Sequence, residues 1–251
     1  MWRVTTKKKI IPSQSILIEG LPGIGNVGKI VVDYLIEQLE PQKIAHFFSY
    51  LLPNTVFVNQ ENLVELPKIE LYYKKINGQD FLFLTGDVQP SEEQASYKFT
   101  ECVLDQAKKY GCREIITLGG IGLTEAPDKP KVYCTGNNKA LIETFTKLGA
   151  KDNIYGIVGP IIGVSGLLIG LSQERKIRAA TLLAETYNHP MYLGVKEAKE
   201  TLKLLNKKYE LNLNFRPLNK EIKLLDKESG QDPKSPGLKR IKKLKEINYI
   251  G

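Results

Sequence analysis

One stretch constrains the fold more than any other: SILIEGLPGIGNVGKIVVDYLIEQL, residues 15–39. An apolar run too short for a stable helix meets a glycine-rich loop. Apolar residues then recur at Ile30, Val31, Tyr34, Leu35 and Leu39, close to a helical period. This is a strand, a loop and a helix, and the pattern repeats along the chain. QDFLFLTG (79–86) precedes a helix predicted from Ser91, where SEEQ reads as a capping box in which Ser91 and Gln94 satisfy each other's backbone amides; Gly111 ends that helix. EIITLGGIG (114–122) is another buried strand running into a glycine turn, KVYCTG (131–136) is a short strand, and NKALIETFTKLGA is a helix stopped by Gly149. ERKIRAATLLAETYN and VKEAKETLKLLNKKYE both read as helices, the second with Val195, Ala198, Leu202, Leu205 and Tyr209 on one stripe.

Strands separated by helices predict an α/β fold, a three-layer α/β/α sandwich with a mostly parallel sheet. KIAHFFSYL and TVFVNQENLVELPKIELYYKKING are rich in β-branched and aromatic residues, and Asn77-Gly78 is a hairpin signal, so an antiparallel hairpin is inserted. The expected globular domain covers residues 1–215. Residues 216–251 form a basic linker and flexible C-terminal tail: DKESGQDPKSPG (226–237) is polar and turn-forming, and in LKRIKKLKEINYIG apolar residues Leu238, Ile241, Leu244 and Ile247 recur every third position between lysines.

The run IYGIVGPIIGVSGLLIGL (154–171) lacks charge for 18 residues and carries GxxxG spacings at Gly159/Gly163 and Gly166/Gly170. Its five glycines and Pro160 make a poor isolated helix, so a buried strand over 154–158, a turn and a buried helix start are preferred to a membrane span. Three cysteines without CxxC spacing argue against a disulfide framework or a zinc site, and fit a reducing, cytoplasmic setting. The N-terminal basic residues precede no apolar stretch of signal-peptide length.

The net charge is +8, and residues 216–251 hold ten basic and five acidic residues, so the first 215 are only mildly basic. That distribution argues against a nucleic-acid-binding body.

The glycine loop nearly fits three phosphate templates. Gly23, Gly25 and Gly28 give GxGxxG between strand and helix, but AHFFSYLLPN offers no acid for a ribose. Gly23 to Lys29 matches GxxxxGK, yet Ile30 stands where Ser or Thr would hold Mg²⁺. General anion binding at a helix N-terminus is the third reading, and sharp turning with tight helix packing is the plain alternative to all three. Further glycine turns at predicted strand ends, including Gly120, place Asn26, Lys29, Asp87, Gln89 and Glu125 where α/β ligand crevices form, although such residues also cap turns. Only His46 and His189 are present, GVSGL fails the nucleophile-elbow pattern at Leu167, and nothing fixes the separation of Asp87 and Glu125 as an acid/base pair. No catalytic residue, metal site or cofactor is assigned.

In combination and order, ILIEGLPGIGNVGKIVVDYLIEQL, FLFLTGDVQPSEEQASYKFTECVLDQAKKYGCREIITLGGIG and GIVGPIIGVSGLLIG resemble the archaeal members of the proteasome assembly chaperone 2 (PAC2) family across roughly residues 14–210. The resemblance implies a nucleoside-phosphorylase-like fold without catalysis, homo-oligomers for which a closed ring is one arrangement, and binding to proteasome α subunits. Family members have also been labelled ATP-grasp-type carboxylate-amine ligases, the enzyme alternative. Family docking through a C-terminal hydrophobic-Tyr-any tripeptide implies a role for this tail, which ends Asn248-Tyr249-Ile250-Gly251 with its tyrosine third from the end rather than second. In that shifted register Ile247, Tyr249 and Ile250 would be apolar anchors and the Gly251 carboxylate would pair with a partner lysine; the alternative is a tail that packs on a neighbouring subunit or stays disordered, its lysines merely solubilising it.

Overall fold

The computed structural model describes residues 2–6, 12–156 and 159–229. Its centre is an eight-stranded sheet in the order β1-β3-β6-β7-β2-β8-β10-β9. These strands are β1 (Arg3–Thr6), β2 (Ile16–Gly20), β3 (Gln42–Phe48), β6 (Ile69–Ile76), β7 (Gln79–Gly86), β8 (Glu114–Leu123), β9 (Val132–Gly136) and β10 (Arg178–Tyr187). The middle four, β7, β2, β8 and β10, run parallel, and the flanking pairs are antiparallel. A separate ribbon, β4 (Phe57–Val58) with β5 (Val64–Glu65), is inserted between β3 and β6. Asn77 and Gly78, both at positive φ, close the β6–β7 hairpin as their sequence predicts.

The period of two along the central strands feeds two cores. Ile16, Ile18, Phe81, Phe83, Ile116 and Leu118 face α1 (Val27–Leu39), α3 (Lys139–Lys147) and α5 (Val195–Tyr209). Leu17, Leu82, Leu84 and Ile115 face α2 (Glu93–Lys109) and α4 (Val164–Ser172). The result is the expected α/β/α layering. Helix-stripe residues Val195, Ala198, Leu202 and Leu205 are all buried, and Asn138 caps α3 by accepting from the Leu141 amide.

Several expectations need correction. RKIRAATLLAETYN is not helical: Arg178–Tyr187 is the strand β10, paired parallel to β8 and antiparallel to β9. Buried on both faces, it lacks polar alternation, and its Ala and Leu residues mimic a helix. The Ser91 capping box does not form. Helix α2 starts at Glu93, and the Ser96 hydroxyl instead donates to the Pro90 and Glu92 carbonyls. Ile154, Tyr155 and Gly156 are not a buried strand; Tyr155 is fully exposed, and Val158 lies outside the described residues. The apolar run continues into α4, a nine-residue helix, and no helix among the described residues is long and apolar enough to cross a membrane. The N-terminal residues Arg3–Thr6 add an edge strand, β1, antiparallel to β3.

Packed structure also continues beyond Phe215. Arg216–Ser229 forms the helix α6, with Leu218 buried and Ile222 and Leu225 packed on the α1/α5 side. Residues 226–229, assigned to the linker by composition, are helical. The tail positions Leu238, Ile241, Leu244, Ile247, Tyr249, Ile250 and Gly251 lie outside the described residues.

Strand register defines two rims. Ile16, Phe81, Glu114 and Arg178 are level at the amino-end rim. Gly20, Thr85 and the ends of β8 and β10 make the carboxyl-end rim, which also carries the β3–β6 connection because Phe47, Ile69 and Gly86 are level.

Candidate functional site

The glycine loop lies on the carboxyl-end rim, where an α/β ligand would sit, but its glycines serve contact between backbones. A Cβ on Gly20 would fall 2.0 Å from the Gly28 carbonyl oxygen, and one on Gly28 would fall 2.4 Å from the Leu118 carbonyl oxygen. The first turn of α1 therefore rests directly on β2 and β8. Gly25 has φ +62°, its carbonyl accepts the Gly194 amide at 2.8 Å, and a Cβ there would strike the Thr186 hydroxyl. Gly120 abuts the Ile24 carbonyl. Gly23 is extended, with open space around it, so any residue fits its backbone. The loop thus holds the sheet, α1 and the β10–α5 connection together.

Lys29, the lysine of the P-loop template, is already neutralised. Its Nζ lies 2.9 Å from Asp33 and 4.0 Å from Asp87. Asp33 accepts the Thr85 hydroxyl, and Asp87 accepts the Lys68 amide. A phosphate entering here would meet two carboxylates around one ammonium, which does not fit a triphosphate site. Gln89 donates to the Pro22 carbonyl at 2.6 Å and so ties the β7–α2 loop to the glycine loop. Asn26 takes a left-handed conformation before α1 but its side chain caps no amide. Lys29, Asp87 and Gln89 are therefore brought to one place. Glu125 is exposed on the loop after β8, with no hydrogen bond or ion pair to them among the described residues.

Composition and spacing passed over the more unusual acids of this rim. Glu19 is fully buried in β2, and no Lys or Arg pairs with its carboxyl among the described residues. It accepts the Leu21 amide at 3.1 Å and the Ser165 hydroxyl at 3.0 and 3.3 Å. Burial pushes its pKa up to about 7, with those two hydrogen bonds offsetting part of the effect. Ser165 stands in the first turn of α4. Glu197, buried in the first turn of α5, is also raised by burial; Tyr192 donates to it at 2.9 Å. The signal for Glu19 was a lone acid inside an apolar strand. Chemically, Glu19 and Ser165 make a hydrogen-bonded carboxyl–hydroxyl pair in which only the carboxyl titrates, at about 7. Of the histidines, His46 lies in β3 and His189 stacks on Tyr187.

No group of His, Cys, Asp and Glu side chains among the described residues is arranged to hold a metal ion. A cleft of about 390 Å³ is lined by Asp128, Lys129, Lys196, Lys199, Glu200 and Ile222, away from the glycine loop and mixed in charge.

Comparison with known proteins matches this architecture. An uncharacterised protein of Methanocaldococcus jannaschii is 29% identical over 224 residues, covering 88% of this chain and 84% of its own. The crystal structure of Pyrococcus furiosus PbaB, an archaeal proteasome activator, superposes with a TM-score of 0.84 at 28% identity, covering 92% of this chain and 98% of that one. Pyrococcus furiosus PbaA, an archaeal homolog of proteasome-assembly chaperone, shares the fold with a TM-score of 0.76 at 23% identity, covering 91% and 90% of the two chains. The PAC2 family pattern matches residues 17–231, through α6 and beyond the 14–210 span of the sequence resemblance. The chain belongs to the PAC2 family.

Proposed function

We propose that this PAC2 protein is a non-catalytic, chaperone-like partner of the proteasome that binds α subunits or assembly intermediates in the cytoplasm. The observation that carries the reading is the end-to-end likeness to a protein described as an archaeal proteasome activator. The rim geometry supports it. Glycines that would cradle phosphates in a ligase are occupied by strand–helix packing, and the template lysine is held by Asp33 and Asp87.

In this reading the C-terminal tail makes the contact. Ile247, Tyr249 and Ile250 insert as apolar anchors, the Gly251 carboxylate pairs with a lysine of the α subunit, and the residues after Ser229 supply the reach. The test is capture of purified 20S proteasome and of free α subunits by the full chain and by a variant truncated after Ser229, which keeps α6. Capture by the full chain, lost on truncation, is the expected result. Absence of capture by either form, together with a thermal shift of several degrees on adding ATP, would return the function to the ligase class.

A further inference from the structure

The β4–β5 ribbon leaves an apolar side uncovered. Val58 pairs with Val64 and Phe57 with Glu65, so the two valines point to one side, which Val56 and Leu66, each two residues along, continue. These four are exposed, as is Leu63 at the turn, whereas Phe57 and Glu65 on the other side are partly covered. Asn59 ties the ribbon: its side chain accepts the amides of Glu61 and Leu63 and donates to Glu65, and its own amide donates to the Leu63 carbonyl. Two strands alone are marginal in water, so a well-tied ribbon with a bare apolar side implies a cover.

Area and charge narrow the cover. The bare side is on the order of a few hundred Å², short of the roughly 800 Å² per partner of a stable interface between separate molecules. A segment tethered to the same chain needs far less, because its effective concentration is in the millimolar range. Lys68 is already bonded to Glu65, and no Lys or Arg lies between Lys43 and Lys68. Glu61 at the tip enters no ion pair among the described residues and leaves the ribbon acidic.

One segment of this chain fits. Residues 238–251 hold five basic residues and one acid, and their apolar residues Leu238, Ile241, Leu244 and Ile247 fall at helical spacing. The segment also departs from the right rim. Helix α5 runs from Gly194, whose amide bonds the Gly25 carbonyl at the carboxyl-end rim, to Tyr209, bonded to Glu114 at the amino-end rim. In α6, Ile222 has returned to a cleft shared with Lys196 and Lys199 from the first turns of α5, so α6 heads back to the carboxyl-end rim as it approaches Ser229. Five strand spacings, about 24 Å, separate β10 from β3, and the nine residues from Ser229 to Leu238 reach about 30 Å.

We propose that residues 238–247 lie across the β4–β5 ribbon of the same molecule, with Leu238, Ile241, Leu244 and Ile247 on the valine side and the intervening basic residues around Glu61. The contact itself does not depend on the proteasome reading. Its consequence does: a tail held on the ribbon withholds Tyr249 and Ile250 from an α subunit.

Cysteine crosslinking in the full chain tests the proposal. V64C is combined in turn with L238C, I241C, L244C and I247C, each single variant serving as control, and mild oxidation is followed on non-reducing gels. At least one pair should crosslink within the chain, giving a band of monomer mass with raised mobility that reverts on reduction. Crosslinks only at twice 28.2 kDa would give the ribbon to a neighbouring copy and overturn the proposal, as would no crosslink in any pair. Amide exchange supplies a second readout: I241D/L244D should speed exchange over residues 56–66 at least tenfold, and V58D/V64D should do the same over 238–247 without moving the thermal midpoint. Unchanged exchange in both would also overturn it. V58D/V64D should then capture α subunits several-fold better than the parent. An intrachain crosslink with no capture by either form would sink the proteasome reading and leave the ribbon contact standing.

Discussion

At the amino-end rim of the sheet a buried acid is surrounded by donors, whereas at the carboxyl-end rim a buried acid is left with a hydroxyl and an amide. Glu114, at the start of β8, is held by Lys208, by the Tyr209 hydroxyl at 2.6 Å and by Arg178 at 2.8 Å. Burial alone would raise its pKa, but these partners outweigh burial and the net direction is down. Asp80 on the same rim behaves alike: burial is outweighed by the Ser13 amide, the Tyr73 hydroxyl and Lys75. Glu19, with no cation, goes up instead. The amino-end rim is built to hold the fold together, and the carboxyl-end rim carries the close-packed glycines and the β4–β5 ribbon with its exposed Val58 and Val64. The division matches the general placement of ligand crevices at the carboxyl ends of strands in α/β sheets.

The largest expected effect comes from removing the acid at the satisfied rim. Glu114→Ala would leave the Lys208 ammonium, only 11% exposed, without its anion, although still seated over the rings of Phe145 and Tyr209. Breaking one side of a buried pair costs about 3–5 kcal/mol. Urea unfolding of the variant at neutral pH should show a loss of that size; a loss under about 1 kcal/mol would put the amino-end rim on the same footing as the other.

The second prediction concerns pH, where the two rims have opposite signs. For Glu19 the folded carboxyl holds its proton up to about pH 7, while the unfolded one releases it near 4.5. Its contribution is therefore fully present below pH 4.5 and is lost as pH rises to about 7. The lost stability is on the order of 3 kcal/mol. Glu114 and Asp80, with lowered values, contribute above the unfolded pKa and lose that contribution as pH falls through the folded one. Glu19→Gln keeps an acceptor for the Leu21 amide and cannot ionise. It should be more stable than the parent at pH 8 and should flatten the decline between pH 4.5 and 7. An unaltered pH profile would mean that Glu19 ionises freely in the folded chain.

Much of this arrangement was legible in the sequence, because the central strands are either short apolar runs ending in glycine or strands closed by Asn77-Gly78. Period two is hidden when both faces are buried, so β10 reads as a helix in the sequence, its alanines and leucines carrying no sign of the sheet. The site was less legible. GxGxxG records where backbones approach closely, but not whether the neighbour is a phosphate or another peptide, and here Gly28 meets the Leu118 carbonyl. Glu19 was visible as a letter; its partner Ser165 lies far along the chain, and only the fold brings them together.

A smaller effect is expected from crowding the carboxyl-end rim. Gly28→Ala would place a methyl group against the Leu118 carbonyl oxygen, which cannot swing aside as a side chain can. Overpacking of this kind costs about 1–3 kcal/mol. The variant should unfold at lower urea than the parent. A fully stable variant would show that α1 can lift from β2 and β8, reopening the loop to a ligand.

The smallest expected effect is at Lys29. If the ammonium served a bound anion, Lys29→Met would abolish ligand-dependent thermal shifts and reverse the local charge balance. If it serves only Asp33 and Asp87, the change removes one i,i+4 pair with a partly exposed carboxylate and one longer contact. Pairs of that kind contribute about 0–1 kcal/mol, and the methionine retains the packing of the aliphatic stem along α1. Lys29→Met should therefore shift the thermal midpoint by no more than a few degrees, with identical responses to phosphate and ATP in parent and variant. A midpoint raised by phosphate in the parent but not in Lys29→Met would separate the loop's packing role from an anion site, and would assign this rim a ligand.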